Sequence, residues 1–168
     1  MFFVREVLGR GEFAFSVVYS AWTIGMIVGA IVLARRVPAT ALATAAFAGV
    51  VVQGLGKTLP PLVLVYGFML VCYFAGGMGH GLKNVMFRTL IHERVPPDRH
   101  GRAFAAYNGL RNAAELGALA LGGVLVSVAG ARATLLVAGS VSAVAGLVGL
   151  ALRSSAEPGP ERALTAGD

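Results

Sequence analysis

The chain is a succession of long apolar runs broken by short clusters of basic residues. Uncharged stretches occupy 13–34, 39–56, 60–82 and 133–152, and a fifth, 103–130, is interrupted only by Arg111 and Glu115. Each is close to the length, about 20 residues, that carries an α-helix across a hydrocarbon core. Segments such as IVGAIVLA and LVLVYGFMLVCYFAGG are apolar on all sides, whereas strands of a membrane barrel alternate polar and apolar positions. The pattern predicts an all-α integral membrane protein, a bundle of about five transmembrane helices. Residues 1–12 read as an extracytoplasmic segment and 83–102 as a basic cytoplasmic loop. Residues 153–168, rich in Ser, Pro, Gly, Glu and Ala, read as a disordered cytoplasmic tail.

Composition narrows the class further. With 57% hydrophobic and 13% charged residues, the chain lacks the polar surface that a water-soluble enzyme of this length needs and is far too apolar for a disordered one. Its single cysteine, Cys72, permits no internal disulfide and no cysteine-rich zinc site. The net charge of +6 carries topological information. Arg35, Arg36, Lys83, Arg88, Arg94, Arg99, Arg102, Arg153 and Arg162 fall on the side that follows the first run, against Arg5, Arg10, Lys57 and Arg132 on the other. By the positive-inside rule the richer side is cytoplasmic, so a multi-pass protein of the cell membrane is expected with its N-terminus outside and its C-terminus inside. Arg5 and Glu6 interrupt the start too early for a signal peptide. An outward N-terminus on an odd number of spans therefore points to a missing upstream span.

Gly25 with Gly29, and Gly77 with Gly81, form GxxxG pairs of the kind that lets helix backbones approach closely. Arg111 and Glu115 stand four apart on one helix face, and burying them in hydrocarbon is costly unless they pair or face a cavity. Two readings follow: an intrahelical pair with Arg111 snorkelling to the interface, or Glu115 as a cation or proton site tuned by Arg111. Asn108 and Asn112 continue this polar stripe. Tyr66 and Tyr73 share a face with Met69 between them, and Tyr19, Trp22 and Thr23 form a polar-aromatic patch. These are either interfacial and packing residues or an aromatic wall for an amphipathic substrate. His80, among glycines, reads as structural or interfacial, while His92 and His100 read as solvated loop residues with no metal-ligand spacing. The basic segment 83–102 fits lipid headgroups better than nucleic acid. GLGKT at 54–58 is too short for a phosphate-binding loop, and no catalytic arrangement stands out, so neither an enzyme nor a bound cofactor is expected.

The segment VREVLG, a glycine-laced span ending in LARR, the basic stretch VPPDRHGRAFAAYNGLRNAAE and the following GGVLVSVAGARATLLVAG together resemble the C-terminal half of a major facilitator superfamily transporter. The similarity is to bacterial efflux members related to enterobactin and macrolide exporters. It aligns the first span with the eighth helix of the twelve-helix fold and the last with the twelfth. The family's loop after the eighth helix carries an acidic residue before its basic pair, which Leu33-Ala34-Arg35-Arg36 lacks; the loop with Pro97, Arg99, Gly101 and Arg102 fits better. The resemblance implies that the second and fifth spans, whose one bulky polar group is Gln53, are peripheral, and that the others face a central path. It implies a partial secondary transporter that moves a small hydrophobic or amphipathic compound outward by alternating access, with proton coupling as an option. The partners would be the bilayer and an N-terminal half or a second copy of the chain. The alternative is a small multi-span interaction or regulatory protein with no transport of its own. If Glu115 carries the coupling ion, Glu115→Gln abolishes coupled transport and leaves membrane insertion intact; unchanged transport in that variant would sink this role.

Overall fold

The computed structural model describes residues 3–156, with side chains through Arg153. All regular structure among them is helical: α1 Glu12–Val28, α2 Leu42–Thr58, α3 Tyr66–Arg94 and α4 His100–Ala156. A π turn at Gly29–Leu33 and a 3-10 turn at Ala34–Arg36 prolong α1, and a short π turn, Phe3–Val7, precedes it. Prolines set two of the boundaries. Val37 and Val95 are extended (φ −86°, ψ 119° and φ −107°, ψ 133°), because the ring of a following proline excludes the α region for the residue before it.

At 57 residues, an unbroken α4 would reach about 85 Å, nearly three times the ~30 Å hydrocarbon core. Gly130 breaks it. Its φ of 79° and ψ of 166° lie in a region that residues with a Cβ rarely enter, and the helix divides there into limbs 100–129 and 131–156. With α1, α2 and α3 this makes an all-α bundle of five helical segments, the fold class expected. Glu12–Arg36, Ala39–Thr58 and Pro97–Arg153 are long and apolar enough to cross a membrane. α3 is not among them, since His80, Lys83 and five glycines between Gly67 and Gly81 dilute it; it is packed between α1 and α2.

Two expected boundaries move. Helix α3 begins at Tyr66 rather than near 60, because Pro60 and Pro61, both fully buried, occupy the corner after α2, and a proline has no N–H to give a helix interior. The segment expected as a basic loop over 83–102 is helix as far as Arg94, and only 95–99, with Pro96 and Pro97, separates α3 from α4. A helix of 29 residues is about 43 Å long, longer than the ~30 Å hydrocarbon core. At the other terminus α4 continues to Ala156, past the expected start of a disordered tail at 153; the rest of that tail lies outside the described residues.

The passes lie side by side in the order α1, α3, α2 and second limb of α4. Ties at each end secure the order. At one end Arg132 Nε donates to the Pro61 carbonyl (2.9 Å), Tyr66 Oη donates to the Ala14 carbonyl (2.8 Å), and Phe3 and Val4 are buried with Val18, Met69 and Ala131. At the other, Arg153 Nη2 donates to the Thr40 carbonyl (3.0 Å), and Leu42, Ala46 and Met86 pack together. Phe3 and Val4, from the segment expected as the end of a missing helix and an extracytoplasmic loop, thus contribute core at the first end.

Glycines bring the inner helices into backbone contact. A Cβ on Gly25 would strike the Phe74 carbonyl, one on Gly29 that of Met78, one on Gly77 that of Trp22 and one on Gly81 that of Met26. The two GxxxG pairs therefore interlock with each other. On another face of α3, Gly76 meets Gly56 and Gly79 meets Gly49, while Gly54 and Gly139 bring α2 against the second limb of α4. Hydroxyls complete the accounting: Ser16, Thr23, Thr58, Thr89, Thr134 and Ser142 each donate to the carbonyl four residues back in their own helices, which hides them from hydrocarbon. Gly25→Ala should destabilise the bundle by about 1–3 kcal/mol through overpacking, whereas Gly117→Ala, with open space around it, should be neutral or slightly stabilising by helix propensity, within about 1 kcal/mol. Thermal unfolding followed by far-UV circular dichroism in detergent distinguishes the two.

Candidate functional site

The first limb of α4 is held at its ends and stands off in the middle. Near its start the rings of His92, His100 and Phe104 cluster (His92 to His100 4.7 Å, His92 to Phe104 5.1 Å), and Tyr107 lies 6.4 Å from Phe87. His100 Nε2–H donates to the Val95 carbonyl at 2.8 Å. His92 and His100 are therefore part of the α3–α4 corner, not simply solvated loop residues: the turn at Pro96–Pro97 folds α4 back so that their rings meet. Near the far end of the limb, Val126 lines a cavity with residues of α1 and α3. Between these anchors nothing approaches Gly109, Gly117, Gly122 or Gly123, and Leu110 and Leu119 are 76% and 75% exposed.

Opposite this limb, α1, α2 and α3 build a cluster around the chain's single tryptophan. Trp22 sits over Gly76, where a Cβ would come within 2.9 Å of its ring, so the glycine makes the slot the indole occupies. Tyr73 meets Trp22 edge-on at 5.9 Å, His80 approaches at 5.7 Å, and Lys57 Nζ lies 5.2 Å from the centre of an indole ring. The indole face attracts the ammonium electrostatically. His80 Nδ1–H donates to Gln53 Oε1 at 3.1 Å, which satisfies both groups between α2 and α3 and fixes the imidazole tautomer. Lys83 stands one helical turn from His80 on α3.

The residues picked out by sequence separate into groups. Trp22 and Tyr73 come together, while Arg111 and Glu115 are exposed on the first limb of α4. Asn108 and Asn112 are exposed on the same limb. Arg111 and Glu115 form no direct ion pair among the described residues, which departs from the intrahelical-pair reading. Tyr66 parts from Tyr73: its hydroxyl serves Ala14 and its ring receives Arg10 at 4.9 Å, which makes it a fastening at the end of the bundle. Tyr19 is exposed, and Thr23 turns its hydroxyl to the Tyr19 carbonyl. Arg35, Arg36, Arg99, Gly101 and Arg102 are all exposed and lie away from the cluster; Arg99 is 3.6 Å from Asp98, an exposed ion pair of little energetic weight.

Two members of the cluster departed from expectation. Lys57 was expected in an external loop, but α2 continues through it to Thr58 and its last turn lies against Trp22. With Gln53 it makes α2 a contributor to the polar cluster, where the resemblance implied a peripheral helix. Gln53 and Lys57 lie four apart on one face of α2, and this spacing in an otherwise apolar helix was the available signal. His80 is held by a polar partner on another helix, which no local pattern foretells. Among the described residues no three His, Cys, Asp or Glu side chains gather as a metal site.

Over residues 1–168 the chain matches the family described as the Major Facilitator Superfamily. No curated protein and no solved structure matches it. The Gln53–His80 bond carries its own test. Gln53→Leu strands the imidazole N–H in a half-buried site and should destabilise the protein by about 1–3 kcal/mol, while adding His80→Phe should recover part of that loss because neither partner then remains unpaired. A thermal-shift double-mutant cycle measures the difference.

Proposed function

The chain belongs to the Major Facilitator Superfamily, a family of membrane transporters, and we propose that it moves a small amphipathic compound outward across the cell membrane by alternating access. The observation that carries this reading is the Trp22 cluster. A membrane bundle stabilised by packing alone has no use for Lys57 over the Trp22 ring and His80 bonded to Gln53 between its inner helices, and ionisable groups within an apolar bundle mark pathways for substrate or ions. Trp22 and Tyr73 supply an aromatic wall, and Arg111 and Glu115 with Asn108 and Asn112 supply a polar stripe along the first limb of α4. Transporters of this architecture bind near the midplane between two repeats and rock one against the other. The stand-off limb of α4 supports a second wall on that side, supplied by an N-terminal half or by another copy of the chain. Glu115 is the candidate for proton coupling. The basic bias of one end supports an orientation with the N-terminus outside and Arg35, Arg36, Arg99 and Arg102 in the cytoplasm.

The test is efflux of a preloaded lipophilic fluorescent dye from cells producing the chain, with and without a co-produced N-terminal half. Dye loss faster than in control cells is expected, with Trp22→Ala slowing it about tenfold, equivalent to ~1.4 kcal/mol in the barrier, and Tyr66→Phe behaving like the parent. Protein that is present and folded but accelerates nothing in either setting overturns transport and favours an interaction protein.

A further inference from the structure

The glycine contacts between α1 and α3 stop before the helices do. Gly29 is the last glycine of α1 and its extension, and Gly81 the last of α3. Beyond them both elements carry side chains, and α1 passes into the π turn Gly29–Leu33 and the 3-10 turn Ala34–Arg36. A wedge opens between the two at that end. It consists of two cavities, of about 280 and 400 Å³, which share Ala30 and Val85 as lining.

The wedge is graded along its length. Its inner end is apolar, with Met26 and Ile27 of α1 beside Gly81 of α3, and its outer end carries Arg35, Arg88 and Glu93. Gly81, Asn84, Val85 and Arg88 recur at helical spacing, so one face of α3 runs from apolar to cationic. The uncharged run 13–34 that precedes Arg35 is about 33 Å long as helix. This matches the ~30 Å hydrocarbon core and puts Arg35 at its edge, so the wedge turns polar where lipid head groups begin.

Among the described residues Arg35, Arg88 and Glu93 form no ion pair with one another, and both guanidiniums have donors to give. Two positive charges against one negative leave the lining with one positive charge, which a single phosphodiester balances. The guanidinium fork matches phosphate oxygens with paired N–H donors, and basic pockets between membrane helices suit acidic head groups. A free anion would use the outer end and leave the apolar end without an occupant; an acyl chain occupies it.

We propose that this wedge binds one acidic phospholipid with a single net negative charge, its phosphate between Arg35 and Arg88 and the start of an acyl chain along Met26, Ile27 and Gly81. Glu93 sets the charge limit, because it repels a second phosphate. A choline lipid, neutral overall, leaves the positive charge of the lining unbalanced. The bound lipid ties α1 to α3 at the end where their glycine packing has ceased.

The test uses purified full-length chain in non-ionic detergent, mixed with dioleoyl phosphatidylglycerol, dioleoyl phosphatidylcholine or cardiolipin, with retained lipid followed by native mass spectrometry. Phosphatidylglycerol should bind at least about tenfold more tightly than phosphatidylcholine. Arg35→Gln and Arg88→Gln should each weaken it about three- to tenfold. Arg94→Gln, which removes an exposed arginine of the same end that does not line the wedge, should change it less than about twofold. Glu93→Gln should narrow the disadvantage of cardiolipin. Phosphatidylcholine retained as tightly as phosphatidylglycerol by the unaltered protein overturns the proposal. So does a loss in Arg94→Gln equal to that in Arg88→Gln, which is the mark of diffuse attraction to a basic surface, or displacement of the lipid by an equal concentration of glycerol 3-phosphate, which reduces the wedge to a phosphate site.

Discussion

Everything in this bundle depends on backbone meeting backbone along α3. Between helices surrounded by lipid the hydrophobic effect offers little, because the competing surroundings are as apolar as the side chains, so association relies on close packing. Gly77 and Gly81 on one face of α3 fit the carbonyls of Trp22 and Met26, and Gly25 and Gly29 return the fit against Phe74 and Met78. A second face, through Gly76 and Gly79, does the same with α2. Side chains at these positions would push the three helices apart and separate every group that the cluster brings together.

This packing also explains why the helix richest in polar interruptions lies in the middle. α3 carries Tyr73, His80 and Lys83, groups that lipid tolerates poorly, and its neighbours cover them. Glycine creates the slot for the Trp22 ring at Gly76, and the indole then becomes the surface on which Tyr73, His80 and Lys57 converge. Close packing and the candidate site are two results of one set of small residues. The first limb of α4 shows the opposite condition: its glycines touch nothing, its leucines are exposed, and it meets the other helices mainly near its ends.

Much of the architecture was legible because membrane insertion is a property of local composition. The apolar runs, the basic clusters between them and the GxxxG pairs are read directly from residue order. The limits of such reading appear where a helix continues past its hydrophobic stretch. Lys57 and Lys83 mark the ends of apolar runs and therefore read as loop residues, but helical hydrogen bonding does not stop at a charge; it stops where proline or glycine breaks the ladder, as at Pro96 and Gly130. The site was legible in part for the same reason. Trp22, Tyr73, Arg111 and Glu115 stand out as polar or aromatic groups in apolar segments, while their partners Gln53, Lys57 and His80 acquire meaning only from helices distant in sequence.

Sequence alone determined that this chain is an all-α membrane protein and that its basic residues cluster between its apolar runs, because both follow from the composition of short segments. Tertiary structure decided which helices touch, that α2 contributes to the polar cluster, and that Tyr66 fastens the bundle while Tyr73 lines an apolar cavity. Those outcomes depend on the rotation and depth of each helix against its neighbours. Contacts over many residues set both, and no local pattern contains them.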